Sequence, residues 1–337
     1  MKLGLLFTGG LPIADLLSLG RKAETTGFSS IYMAEVYRSA WVALTALAGA
    51  THRVTLGTYV LNAYARSPLL TGMTAIDFNE LCGGRLLLGI GGGNRIINEE
   101  WQGIAHARVL TKMREYVEIM QQMACAQAGK PIEYAGKVHH MRWTPVVGSA
   151  AERFPVYLAA VFPAMLQIAA TIADGIAGGA TLSSRYLRDY VLPTATEFAI
   201  QAGRDPTGLR IKTVMFTAVS PDRAHARQAA RAALCSLFAP LPHPYYEYTM
   251  REQGYSSVVD KLRQLSTAGD PSAAHAAIPE AMLDELTIAG TPSECRAQIQ
   301  RYTGLVEELI LINAMPAPEG DWHRAYADFL ALPDKPA

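Results

Sequence analysis

The chain has 337 residues, half of them hydrophobic, and its 30 Lys and Arg balance 30 Asp and Glu. That length and apolar content suit a large core, and zero net charge without a basic block speaks against nucleic acid or an acidic membrane surface as partner. Cys82, Cys125, Cys235 and Cys295 share no metal-ligand spacing, which argues against a zinc site or a disulfide framework and fits a reducing cytoplasm. The opening "MKLGLLFTGG" is too short for a signal peptide, and no apolar run reaches membrane-spanning length. A cytoplasmic protein is expected.

Short β-rich runs alternate with longer helical ones. "LGLLF" (3–7) reads as a buried strand, and 13–27 as a helix stopped by Gly27. "SSIYMAE" (29–35) is the next strand, followed by a helix over 41–51. "RVTLGTYVLN" (53–62) is the third strand, with a helix opened by Pro68 and closed by glycines at 83 and 84. "RLLLGIGGGN" (85–94) is the fourth, and a long helix covers 110–127. After a polar, aromatic excursion over 129–154, "FPVYLAAV" (154–161) is the fifth strand and "DGIAGG" (174–179) the sixth, separated by a helix over 165–173. A helix through 184–203 leads to "LRIKTVMFTAV" (209–219), the seventh. Helical sequence fills most of 221–268. A helix over 291–305 and "VEELILINA" (306–314) close the pattern.

Strands apolar on both faces, each followed by a helix, point to a parallel sheet covered by helices. Eight such units predict a closed (β/α)8 barrel in one domain spanning 1–337, with 129–154 and 236–289 as insertions. An open doubly wound sheet is the rival. In a barrel, ligands meet the C-terminal ends of the strands. Gly91, Gly92 and Gly93 sit there and offer bare amides, with the Asn94 side chain beside them. They are not a dinucleotide fingerprint, because Asn94 stands where a glycine is required. A tight strand-to-loop turn is the plainer reading of the same residues.

The ordered set "AEVY", "LGTYVLNAYARSP", "GRLLLGIGGGN", "FPVYLAA", "ADGIAGG" and "AGTPSECRAQIQRY" resembles the bacterial luciferase-like superfamily, in its branch of coenzyme F420-dependent oxidoreductases. The resemblance runs from the first strand to the last. It implies a TIM barrel, a flavin-like ring at the strand ends, a small organic substrate and a homodimer. It also implies a non-proline cis peptide at Tyr59–Val60, whose bulge braces the ring, with Asn62 near the ring edge and Ala159 in the cofactor site. Gly178, Gly179, Ala180 and Thr181 are placed by the resemblance at the cofactor phosphate, as backbone N–H groups at a helix start allow. An ordinary glycine loop with Thr181 as N-cap is the alternative. At 291–294, Thr291, Pro292 and Glu294 read as a capping box.

Glu35 and Asn94 are the catalytic candidates. The resemblance places an acidic residue at 35, commonly followed by His, but Val36 and Tyr37 follow here. The sugar-phosphate enzymes of this family carry glutamate where Asn94 stands, which argues against that activity. Glu35 either orients the ring system or pairs with Arg38. Tyr37, Trp41 and Tyr64 are potential pocket walls, His139 and His140 read as surface or lid residues, and Lys212 lies at the wrong end of its strand for a catalytic base. No metal is expected. The chemistry is therefore a cofactor's: hydride transfer with F420, alternatively oxygen chemistry with FMN, or flavin binding with little catalysis.

Overall fold

Every run read as a strand forms one. The computed structural model describes residues 1–149, 152–239 and 241–333. Its strands are β1 (Lys2–Phe7), β2 (Ser30–Met33), β3 (Thr55–Asn62), β4 (Leu86–Gly91), β5 (Ile132–Ala135), β6 (His140–Trp143), β7 (Val156–Ala159), β8 (Gly175–Ala177), β9 (Arg210–Val219), β10 (Ile288–Gly290) and β11 (Glu308–Asn313). β1, β2, β3, β4, β7, β8, β9 and β11 pair in parallel in that order, and β11 returns to β1. The closure excludes the open sheet and makes the expected (β/α)8 barrel.

All six residues of β4 are buried, as a strand covered on one side by helices and on the other by the barrel interior requires. Alternate side chains serve two layers. Leu5 and Phe7 pack outward with the helices, whereas Leu6 joins Tyr32, Tyr59, Leu87, Tyr157, Val214 and Ile310 inside the barrel. The helix after β8 runs through Ser184–Gln201 past Pro193, accommodating the missing N–H with a wide turn at Leu187–Val191.

The two insertions take definite forms. β5 and β6 make an antiparallel hairpin between the Val109–Met123 helix and β7. The second insertion contains helices Pro244–Glu252, Ser256–Ala268, Pro271–Ala277 and Glu280–Leu286, which share a small second core with the Arg223–Cys235 helix and Ala218 of β9. Ala150, Ala151 and Pro240, which fall in these insertions, and the last four residues of the expected domain lie outside the described residues. β10 was not anticipated from the sequence. It pairs with β9 at Thr217–Val219, beyond the point where β8 stops at Lys212. The capping box stands as read: Thr291 and Glu294 bond each other's backbone N–H, and Pro292 opens the helix.

The N-terminal floor of the barrel holds a buried polar cluster. The Lys212 ammonium lies 2.7 Å from the Glu308 carboxylate, which also accepts from Ser30 Oγ at 2.6 Å and Tyr32 Oη at 2.8 Å. Glu307 accepts from Tyr157 Oη at 2.8 Å. Burial and the neighbouring Glu308 push the Tyr32 hydroxyl far above its ordinary pKa, so it stays a donor. Lys212 thus closes the barrel floor, at the end remote from the strand C-termini. No helix among the described residues is long and apolar enough to cross a membrane.

Removing one partner of a buried ion pair strands the other charge, which costs about 3–5 kcal/mol. Lys212→Met is expected to lose about that much stability in urea denaturation. Adding Glu308→Leu to it should recover a large part of the loss.

Candidate functional site

The site forms where β2, β3, β4 and β8 end. Between Thr58 and Leu61 the register of β3 against β4 shifts, and the Tyr59–Val60 peptide is cis. Tyr59 turns into the barrel, where its hydroxyl donates to the carbonyls of Gly178 and Lys212 at 2.9 and 3.0 Å. Val60 instead stays partly exposed. With Ala34, Phe216 and Tyr246 it lies over the inner barrel cluster and makes an apolar floor.

The glycine run is fitted to its neighbours. A Cβ on Gly91 would come 2.8 Å from Val60 Cγ2, and one on Gly93 would come 2.7 Å from the Asn62 amide. Gly93 also has a φ of +67°, which favours glycine. Their bareness therefore serves the β3–β4 junction directly. Asn94 is 5 % exposed, and its amide donates to the Pro242 carbonyl at 2.9 Å and accepts from the Ile96 N–H at 2.9 Å. His243 Nδ1 stands 3.4 Å from the same amide nitrogen, and burial lowers its pKa. Tyr245 donates to the Gly93 carbonyl at 2.5 Å. The second insertion therefore folds down over the glycine loop, a contact spanning about 150 residues that no local pattern in the sequence signals.

After β8, Gly178 is tied to β9 through its N–H on the Lys212 carbonyl. The N–H groups of Gly179, Ala180 and Thr181 make no hydrogen bond among the described residues, although Ala180 and Thr181 are fully buried. Buried amides without a partner are costly, and of the three residues only Gly179 is partly exposed. Thr181 does not cap the following helix: Ser183 does, and the Thr181 hydroxyl bonds Thr249 at 2.5 Å. Gln253 secures the loop through the Thr181 carbonyl and the Ser183 N–H. Tyr246 rests against Gly179. Ala159 pairs with Ala177 alongside and approaches Gly91.

A cavity of about 540 Å³ opens beside the floor, with Glu35, Arg38, Asn62, Arg66, Leu70 and Trp101 in its wall. Glu35 does not pair with Arg38, whose guanidinium is taken by the carbonyls of Gly9 and Leu11. It meets Arg66 instead, at 3.5 Å. Glu35 Oε2 is buried and has no partner among the described residues. Arg66, on the loop after β3, is a site residue that sequence reasoning missed. Tyr37 is exposed at the rim beside Trp101, Trp41 is buried against Phe78, and Tyr64 stacks on His106. His139 is not a surface residue: it is half-buried against Tyr116, its Nε2 unpartnered, while His140 is exposed. Among the described residues no group of three or more His, Cys, Asp or Glu side chains could hold a metal.

Residues 1–307 match the family described as luciferase-like monooxygenase. The chain is 30 % identical over 308 residues to the 5,10-methylenetetrahydromethanopterin reductase of Archaeoglobus fulgidus, covering 90 % of each protein. Its fold superposes on the coenzyme F420-dependent tetrahydromethanopterin reductase of Methanopyrus kandleri with a TM-score of 0.82 at 21 % identity, covering 98 % of this chain and 96 % of that one. It also matches, at a TM-score of 0.67 and 15 % identity over 98 % of this chain and 96 % of the other, the oxygenating constituent of 3,6-diketocamphane monooxygenase from Pseudomonas putida, solved with FMN. By sequence and by fold, the chain belongs to the luciferase-like monooxygenase family.

Proposed function

We propose that the protein is an oxidoreductase that moves a hydride between coenzyme F420 and a small organic substrate. The observation carrying this reading is the apolar floor of Ala34, Val60, Phe216 and Tyr246, with the partly exposed Gly179, whose N–H has no partner among the described residues, against Tyr246. The Gly179 N–H suits the cofactor phosphate, with Gly178, Ala180 and Thr181 shaping the loop that presents it, and Ala34, Val60, Phe216 and Tyr246 suit the ring face. Asn62, Gly91, Gly92, Gly93 and Ala159 complete the wall around it. Tyr59 holds the bulge from below through two carbonyls.

When bound, F420 supplies a carbon that accepts or donates hydride. The chain's own task is positioning and exclusion of water. Glu35 lines the cavity with its side chain 14 % exposed, and its carboxylate is the group placed to receive a hydrogen-bond donor of the substrate, although Oε2 itself is buried. Arg66 keeps that carboxylate in place and offers its remaining N–H groups to an acceptor. Asn94 acts indirectly, by fastening the insertion over the glycine loop. FMN is the second reading, favoured by the family member solved with that flavin.

The exposed faces of the Ala40–Ala48 and Pro68–Leu81 helices carry Val42, Leu70 and Met73, which are 63, 49 and 41 % exposed. A second copy of the chain is the natural cover for this apolar face, which borders the cavity at Leu70.

Titration of the purified protein with each cofactor decides the first point. F420 is expected to bind with a change in its fluorescence, and turnover is expected without oxygen uptake. Binding of FMN alone, with substrate-linked oxygen uptake, overturns the assignment. Glu35→Gln is expected to slow turnover about 100-fold or more, the range of a lost acid–base group, with cofactor binding little changed. Light scattering should give a dimer mass, and Val42→Glu with Met73→Glu a monomer.

A further inference from the structure

Asn98 is completely buried and was not singled out by the sequence, yet it joins three parts of the site. Its Oδ1 accepts from Asn62 Nδ2 at 2.7 Å, and its Nδ2 reaches the Gly92 carbonyl and His106 Nδ1, each at 2.8 Å. The orientation of both amides follows from their ends. The Tyr64 backbone N–H can only donate, and it meets Asn62 Oδ1 at 3.0 Å. Asn62 must therefore offer its NH2 to Asn98, whose oxygen accepts it. The Asn98 NH2 is then left for the Gly92 carbonyl, which can only accept, so the two ends agree. His106 Nδ1 consequently faces an N–H and must present a lone pair.

We propose that Asn98 and His106 are positioning residues for the cofactor site: a neutral His106, accepting at Nδ1, holds Asn98 in the one orientation that aims the Asn62 amide and anchors the glycine loop at Gly92. The ligand side of this inference rests on the F420 reading; the relay itself does not.

The surroundings keep the ring in this form. His106 stacks on Tyr64 with 4.9 Å between centroids, and the Lys112 ammonium lies 3.9 Å from the other aromatic centre. Glu99 accepts the His106 backbone N–H and is itself paired with Arg95. Burial depresses the pKa of His106; Glu99 works against this, while Arg95 and Lys112 add to it. The ring is thus neutral above the ordinary histidine range of about 6.5. The relay is intact there and is lost as pH falls through the lowered value, because a proton on Nδ1 would oppose the Asn98 N–H.

Nitrogen NMR of the histidine rings in the cofactor-free protein tests the relay. His106 is expected as the Nε2–H tautomer, and Asn98→Asp should move its titration upward. Cofactor titrations test the consequence. Affinity for F420 should fall on the acid side in the wild type. His106→Leu should weaken it about tenfold, the worth of one net hydrogen bond. His106→Asn, whose Oδ1 can replace Nδ1 as acceptor, should restore binding to within about threefold and abolish the acid-side fall.

An Nδ1–H tautomer in the free protein overturns the relay. So does an acid-side fall that persists in His106→Asn, which also decides the matter should His106→Leu not fold. If FMN is the ligand bound, the same series is read with FMN. If neither cofactor binds, the proposed function fails and the tautomer still decides the relay.

Discussion

The site depends on how closely β3 and β4 approach. Gly57 and Gly89 each leave room for a carbonyl of the facing strand, those of Leu87 and Thr58. Gly91 leaves room for Val60, and Gly93 for the Asn62 amide. Thr58 reinforces the seam, its hydroxyl donating to the Gly89 carbonyl at 2.6 Å and accepting the Gly89 N–H at 3.1 Å. Side chains at these glycines would push the strands apart, because packed interiors have no slack for an added methyl group. The seam sets the height of Val60 in the barrel mouth and the direction of Asn62. Through Asn98 it extends to a histidine on the far side of the glycine loop.

A second constraint acts across the mouth. The Pro244–Glu252 helix and the residues before it touch the loop after β4 through Pro242, His243 and Tyr245, and the loop after β8 through Tyr246 and Thr249. One short element thus spaces the glycine loop from the unpartnered amides after β8. This explains why an insertion far along the chain bears on a site built mainly where the barrel's second, third, fourth and sixth strands end. The insertion stays aligned because Gln253, just past the helix end, bonds the Thr181 carbonyl and the Ser183 N–H in turn.

The barrel strands were legible because buried parallel strands are largely apolar, and β4 shows this plainly. The cis bond at Tyr59–Val60 was placed by family resemblance, which no propensity argument could have done. The capping box was readable because its partners are three residues apart. What stayed hidden is long-range. Lys212 meets Glu308 across 96 residues, and Asn94 meets Pro242 across 148. The Glu35–Arg38 pairing failed for a related reason. Nearness in sequence suggested the pair, but two backbone carbonyls on the loop after β1 claimed Arg38 first. β10 escaped notice because three residues carry too little pattern to mark a strand.

That diversion of Arg38 also shapes the cavity's chemistry. Two arginines and one carboxylate line it, so a count of charges alone describes a cationic pocket. Carbonyls at Gly9 and Leu11 absorb the Arg38 donors, whereas Arg66 has a single long contact, to Glu35, whose Oε2 is buried. The groups left to face a ligand are therefore the Arg66 donor fork and, beside it, the partly exposed Glu35 carboxylate. Such a pair is complementary to a neutral polar group that both donates and accepts, and a bare anion would satisfy Arg66 while crowding Glu35. Polarity at the cavity is thus decided by which side chains the backbone has already occupied, and the loop after β1 helps determine what the pocket tolerates without lining it.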